Sequence, residues 1–365
     1  DSELSVQNFE DVYVKKNVLG EGGFGQVYLV EQKETGSEYA CKFVPADDAE
    51  MIELLQREVL NHHQLGLHPN IVAFKEIIRA PPDDIAIVME YCPGGDLYDY
   101  VRSKRRLTEE ETRPLFRQIL KGLYWCHKQG IVNRDIKLDN VLLDSEKKLA
   151  KICDFGHSKN LLCNSVAKTA LGTPGYIAPE VMTSPDSYDG NQADVWSLGC
   201  MLYIMLCGKF PFMDKRQDLQ VIVRKSLRGE YTEPMHVSED CRDILRCMLN
   251  PDPAKRSSMR DLVRHNWTVA DIKPKSSNIK SDSAVSDEKS QNATGQESGE
   301  ASGGFQEPDL YLEAETEGVP GRMVTMDPPE ANACEGADGA SRRKKSALSK
   351  LTPRRIKEFF KNLSR

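Results

Sequence analysis

The run Asn133-Arg134-Asp135-Ile136-Lys137-Leu138-Asp139-Asn140 is followed fourteen residues later by Asp154-Phe155-Gly156, and the two segments together carry a dense set of reactive groups. They supply a carboxylate, a cation two residues after it, a side-chain amide and a second carboxylate at fixed spacing. Moving a phosphoryl group onto a hydroxyl asks for that set: a base for the proton, positive charge to steady the group in flight, and hard oxygens for a metal ion. Either aspartate alone would read as a turn-forming residue of a loop. The combination does not.

Upstream, Gly20-Glu21-Gly22-Gly23-Phe24-Gly25-Gln26-Val27 has the composition of a loop whose backbone N–H groups can approach phosphates closely. A glycine-rich hairpin is by itself a weak signal. Here Tyr39–Phe43 follows, alternating like a strand and carrying Lys42, and then Leu54–Leu60, with apolar residues at helical spacing and Glu58 among them. Lys and Glu are ordinarily solvated surface charges. Their position relative to the glycine loop sets this pair apart.

The order and spacing of these segments resemble the catalytic core of eukaryotic protein kinases over about Val12 to Trp267. The resemblance implies an α+β, two-lobed fold, with a small antiparallel-sheet lobe holding one key helix and a larger helical lobe. It also implies ATP and Mg²⁺ as cofactors. Asp135 matches the base, Lys137 the cation on the γ-phosphoryl group, Lys42 and Glu58 the phosphate-holding ion pair, and Asn140 and Asp154 the metal ligands. Nucleotide contacts are implied for Leu19, Gly20, Glu21, Gly22, Gly23, Phe24, Gly25, Gln26 and Val27, and for Ala40, Met89, Glu90, Cys92, Asp96 and Leu142. Gly172–Glu180 resembles the end of an activation segment of the serine/threonine type, and Lys137 agrees with that class. Thr169, with Ser165 as the alternative, matches the activating phosphosite, filled by an upstream kinase or by autophosphorylation. Asp194 is expected to brace the catalytic loop and Arg256 to pair with Glu180. Cys153, next to Asp154, is expected to meet cleft-directed electrophiles.

The segments Asn61-His62, His68–Val72, Phe74–Glu76, Ile87–Tyr91, Lys151–Cys153, His157–Lys159 and Tyr188–Gly190 narrow the resemblance. They are similar to the plant and algal stress-activated kinases of the second sucrose-non-fermenting-related subfamily, within the calcium/calmodulin-dependent group. Asn133 departs from the pattern, because the family has His or Tyr there, packed under the Phe of Asp-Phe-Gly. That leaves two readings open: an active serine/threonine kinase of stress or nutrient signalling, or a pseudokinase acting as a scaffold. A small-molecule phosphotransferase of related fold is the third, and the Thr173–Glu180 segment, which resembles a platform for extended protein substrates, weighs against it.

Length and composition fit this division. Of 365 residues, 1–11 read as an N-terminal extension, 12–267 as the kinase domain (small lobe 12–91, large lobe 92–267), 268–340 as a linker and 341–365 as a basic end. From Asp271 to Ala340 there are 15 acidic and 5 basic residues, so this stretch is expected to bury too little apolar surface to order itself. In the last 25 residues, ten are Lys or Arg, and Ile356, Phe359, Phe360 and Leu363 form one helical stripe, as in a basic amphipathic helix that binds a regulator. Arg342-Arg343-Lys344-Lys345 agrees with a cytoplasmic and nuclear location. The net charge of −7 argues against nucleic acid as a partner, and the longest apolar helix candidate, Val195–Cys207, is too short for a transmembrane segment. Ten cysteines without paired metal spacing read as buried thiols in a reducing compartment. The expected partners are protein substrates bearing a basic residue, Arg, three positions before the acceptor, where Asp96 and Asp139 would meet it.

Overall fold

A computed structural model describes residues 8–22, 25–45, 49–82, 84–156, 158–160, 175–185, 187–213 and 218–270. The acidic linker from residue 271 and the basic end at 341–365 lie outside the described residues.

The small lobe is one antiparallel sheet built from β1 (Tyr13–Gly22), β2 (Gly25–Gln32), β3 (Glu38–Pro45), β4 (Phe74–Ala80) and β5 (Asp84–Glu90), in the order β1-β2-β3-β5-β4. Strand alternation gives the sheet two apolar faces. On one, Val44, Ile85, Ile87, Phe74 and Ile77 pack against Leu55 and Val59 of helix α2 (Ala49–Leu65). On the other, Val30, Cys41, Phe43, Ile78, Ala86 and Val88 are covered by Phe9 and Tyr13, with helix α1 (Phe9–Val12) between them. Phe9 falls inside the expected N-terminal extension yet is core, its ring 4.9 Å from that of Phe43. The same alternation puts Lys42, between Cys41 and Phe43, on the α2 side.

The large lobe comprises α3 (Leu97–Lys104), α4 (Glu109–Lys128), α5 (Pro179–Thr183), α6 (Gly190–Cys207), α7 (Leu219–Arg228), α8 (Glu239–Met248), α9 (Met259–Arg264) and α10 (Asn266–Val269). The short strands β6 (Ile131–Val132), β7 (Val141–Leu143), β8 (Ala150–Ile152) and β9 (Lys159–Asn160) pair as β6 with β9 and β7 with β8. Helix α6 buries every residue from Ala193 to Leu206 save Ser197, as a sequence apolar on all sides requires. It ends at Gly208 in the left-handed conformation, where a Cβ would lie 2.0 Å from the Arg105 carbonyl oxygen. Helix α4 opens on a capping box, Thr108 with Glu111. Its Glu109 accepts from Ser238 N–H and Oγ, from Trp267 Nε1 and from Arg113, which stitches the lobe's last turn to its first long helix. Burial pushes the Glu109 carboxyl up, but those donors outweigh it and hold the group below its ordinary value. No helix among the described residues is long and apolar enough to cross a membrane.

The alternating run Ile71–Ile78 reads in sequence as one strand, but β4 begins only at Phe74. Instead Ile71 bridges Ile152, Val72 N–H donates to Ile152 O at 2.9 Å, and Ile152 N–H donates to Asn70 O at 2.9 Å. The segment after α2 is thus laced to the β7–β8 hairpin of the large lobe, a long-range pairing that alternation cannot reveal.

Helix α2 also buries His62, whose ring stands edge-on to Phe155 at 4.7 Å and whose Nε2 has no hydrogen-bond partner among the described residues. Burial holds its pKa down at about 4, below the ordinary 6.5, with Lys42 adding to the shift and Asp154 opposing it. Between those values the unfolded chain takes up a proton that the fold refuses, so stability must fall as pH drops from 6.5 towards 4. We expect this group to cost about 2 kcal/mol between pH 7 and pH 5. Urea unfolding of wild type and His62→Leu at both pH values checks this. The variant should lose less stability on acidification, and equal losses would remove His62 as the cause.

Candidate active site

Strand β3 and helix α2 bring Lys42 and Glu58 together, with Nζ 3.1 Å from Oε2 and both side chains nearly buried. Burial alone would lower the Lys42 pKa, but the Glu58 and Asp154 carboxylates outweigh it and raise it, so the cation is secured. Removing one partner from such a pair would leave a buried charge uncompensated, at about 3–5 kcal/mol.

The loop between β6 and the turn Leu138–Asn140 carries the second group. Arg134 adopts φ 70°, an uncommon conformation for a side-chain-bearing residue, and the loop is held there by α6. Asp194 accepts the Asn133 N–H at 2.9 Å and the Arg134 N–H at 2.8 Å, and His127 Nε2 lies 2.7 Å from its Oδ2. Asp135 therefore enters the cleft from a fixed backbone. Its Oδ2 lies 3.1 Å from Lys137 Nζ and 2.8 Å from Asn140 Nδ2, and Asn140 also donates to the Asp135 carbonyl at 2.8 Å. With its nitrogen engaged by Asp135, Asn140 keeps Oδ1 for another partner.

Asp154 sits at φ 58°, with its Oδ1 accepting the Gly156 N–H at 2.9 Å. A Cβ on Gly156 would lie 3.2 Å from that Oδ1 and 3.6 Å from Glu58 Oε2, so this turn lies beside the ion pair. Phe155 is fully buried behind it. The Asp154 carboxylate and the Asn140 amide oxygen form a hard-oxygen donor set that suits a divalent cation able to keep its waters.

In the loop over the cleft, Gly22 pairs with Gly25 and Gln26 with Phe43. A Cβ at Gly25 would fall 2.0 Å from the Phe43 carbonyl oxygen, and its φ of 125° excludes side chains as well. A Cβ at Gly20 meets nothing within 4 Å, so that glycine leaves open space rather than serving packing. Glu21 and Gly22 continue β1, while Gly23 and Phe24 lie outside the described residues. Leu19 is exposed, Val27 is partly buried in β2 opposite Lys42, and Ala40 pairs with Met89 across β3 and β5. Leu142 bridges Asp96 from the large lobe. Glu90 does more than the sequence implied: Lys151 Nζ lies 2.9 Å from its carboxylate, which also accepts the Ala73 N–H, and the Glu90 N–H itself goes to Ala73 O. Burial pushes the Cys92 thiol up to about 11.

Asp96 caps α3 by accepting the Asp99 N–H at 2.7 Å. Its pKa is raised by burial, and the charges of Asp99 and Asp139 push the same way. Cys153 is half-buried, and burial first, then the Asp154 charge, raises its thiol well above the ordinary value. Arg256 grips Glu180 with two nitrogens, at 2.6 and 3.0 Å, and also holds the Gln192 and Asn250 carbonyls. Arg134 Nε donates to the Tyr188 hydroxyl at 3.0 Å. Thr169 and Ser165 lie outside the described residues.

Asn61, His62 and Ser158 are residues whose place in the site the sequence did not give. They entered only as similarities, although their spacing from Glu58 and Asp154 put them beside functional positions. Elsewhere, Asp243, Cys247 and His265 hold their ligand atoms within 4.8 Å of one another. His265 Nδ1 accepts the Trp267 N–H at 3.1 Å, so Nε2 carries the proton and donates to Asp243 at 3.0 Å. A metal would need that nitrogen unprotonated, and His265 serves instead as the N-cap of α10.

The protein kinase domain family matches residues 13–268. Serine/threonine-protein kinase SAPK6 of Oryza sativa subsp. japonica is 42% identical over 261 residues, which is 70% of this chain and 70% of that protein. Serine/threonine-protein kinase SAPK9 of the same rice is 40% identical over 276 residues, 74% of this chain and 75% of that protein. Serine/threonine-protein kinase SRK2E of Arabidopsis thaliana is 38% identical over 275 residues, again 74% and 75%. Relatives of this extent, matched across both lobes and the cleft between them, show that the chain belongs to the protein kinase family, which works with ATP and a divalent metal.

Proposed function

We propose that this chain is an active serine/threonine protein kinase that transfers the γ-phosphoryl group of ATP to hydroxyls of protein substrates. The observation that carries this reading is the simultaneous closure of the Lys42–Glu58 pair and burial of Phe155, with Asp135 held between Lys137 and Asn140. A scaffold with no transfer activity would have no use for that arrangement.

In this reading Asp135 would accept the proton of the substrate hydroxyl, and Lys137 would steady charge on the transferring group. Lys42, kept in place by Glu58, would hold the α- and β-phosphates, and the glycine loop would cover them. Asn140 and Asp154 would hold the divalent cation, Mg²⁺, which supplies charge neutralisation on the phosphates. The resemblance of the flanking segments supports placing the chain in the calcium/calmodulin-dependent group and in stress or nutrient signalling.

Transfer from labelled ATP to a generic basic protein tests the activity. The Asp135→Asn variant should retain ATP binding and lose about 10²–10⁴-fold in turnover, since an amide cannot take the proton. Near-normal turnover by a preparation free of other kinases would remove Asp135 from that role.

We further infer a preference for Arg three residues before the acceptor. Burial raises the Asp96 pKa and the charges of Asp99 and Asp139 push the same way, so a guanidinium at this rim would relieve that repulsion. Peptides with and without that Arg should differ in kcat/KM, and equal rates would dispose of the preference.

Thr169 is the proposed activating phosphosite, with Arg134 as the partner of its phosphate. Phosphopeptide mapping should find phosphate there, and Thr169→Ala should lower activity. Full activity with no phosphate in residues 161–174 would refute the assignment.

A further inference from the structure

Asn133 lies on the cleft floor, 1% exposed, and none of its polar groups goes unused. Its Oδ1 accepts the Asp135 N–H at 3.1 Å, and its Nδ2 donates to the Asp154 carbonyl at 3.3 Å. Its own N–H goes to Asp194, and its carbonyl accepts from the Ser158 hydroxyl at 3.3 Å. The neighbours dictate the orientation of the amide. Turned over, it would set NH₂ against N–H and C=O against C=O, two repulsive contacts.

Ser158 carries the connection onward. It is fully buried, its N–H donates to Phe155 O at 3.1 Å, and its carbonyl accepts from Asn61 Nδ2 at 3.4 Å. Asn61 stands on α2 three residues after Glu58. A column of hydrogen bonds therefore starts on the helix that carries Glu58, passes Ser158, and divides at Asn133 towards the backbones of Asp135 and Asp154.

We propose that Asn133 is a positioning residue whose amide locks the backbone of Asp135 to that of Asp154 and, through Ser158, makes both follow the position of α2. A side chain that only packs at this site would act by shape, which tolerates sliding between packed surfaces. Two hydrogen bonds of opposite sense fix one register. Asn133 is thus a directional replacement for a packing contact, and the departure from the family pattern does not loosen the site. The proposal rests on the kinase reading, because its consequence is a rate.

Steady-state phosphorylation of a basic peptide by the full chain tests it, with ATP binding followed in parallel by a fluorescent ATP analogue. Asn133→Leu keeps the size and removes both amide bonds. Its kcat should fall about tenfold while nucleotide affinity stays within about threefold. Asn133→His can again offer a donor and an acceptor and should return kcat to within about threefold of wild type. Ser158→Ala should lower kcat less, and the double variant should lose less than the product of the single losses. Wild-type kcat in Asn133→Leu, or multiplicative losses in the double variant, would overturn the proposal. If Asn133→Leu does not fold, Asn133→Asp, which keeps the acceptor and loses the donor, takes its place with the same expected direction. Should the wild type itself transfer no phosphate, the kinase reading fails. The column is then judged by urea unfolding alone: non-additive shifts for the Asn133 and Ser158 variants support it, and additive shifts overturn it.

Discussion

The catalytic loop owes its shape to one buried carboxylate. Asp194, on the core helix α6, collects two successive backbone N–H groups from Asn133 and Arg134 and an imidazole from His127. Those N–H groups belong to a loop that has no sheet to satisfy them, and Arg134 is held at a positive φ. A charged acceptor makes such bonds about twice as strong as neutral ones, which is how a short loop can sustain an unfavourable backbone. Asp135, Lys137 and Asn140 inherit their positions from it. Helix α6 can deliver that carboxylate because it is apolar on every side and so cannot shift towards solvent.

The other half of the site depends on a different balance. Lys42 and Glu58 come from elements that meet only when α2 lies against the sheet, and both are nearly out of water. Each charge is tolerable only because the other is present, with Asp154 adding to the attraction on Lys42. The pair therefore couples the placement of a whole helix to the state of one cation. Packing around Leu55, Val59, Phe74 and Ile87 supplies the non-directional part of that placement, and the ion pair supplies the directional part.

Much of this was legible in the sequence, for identifiable reasons. Catalytic spacing is local, so Asp135, Lys137, Asn140 and Asp154 could be read from two short segments, and strand alternation and helical periodicity located β3 and α2. Contacts between distant segments carry no such local signature. Ile71–Val72 is as apolar as any strand, but it pairs with Ile152 rather than joining β4. Phe9 looks like part of a tail until the sheet face it covers is known. Cys153 sits beside a functional aspartate, and the upward push on its thiol from burial and from that same carboxylate has no local signature either. The resemblance implies only a nucleotide contact for Glu90, and nothing local announces that its side chain clasps Lys151.

Asn133 shows the same limit from the opposite direction. Judged by residue type, a small amide in place of a ring predicts a looser stack and a less populated active arrangement. The loss is real only if stacking is the sole connection between α2 and the cleft floor. Here two connections run side by side. His62 meets Phe155 edge-on at 4.7 Å, which carries the apolar contact from α2. Asn61, Ser158 and Asn133 carry a polar one between the same elements. Apolar contact fixes how closely two surfaces approach and leaves their register free, whereas hydrogen bonds fix register and add little when surfaces separate. An imidazole from α2 on one path and an amide from the catalytic loop on the other divide those tasks, so the smaller residue at 133 is consistent with a closed site.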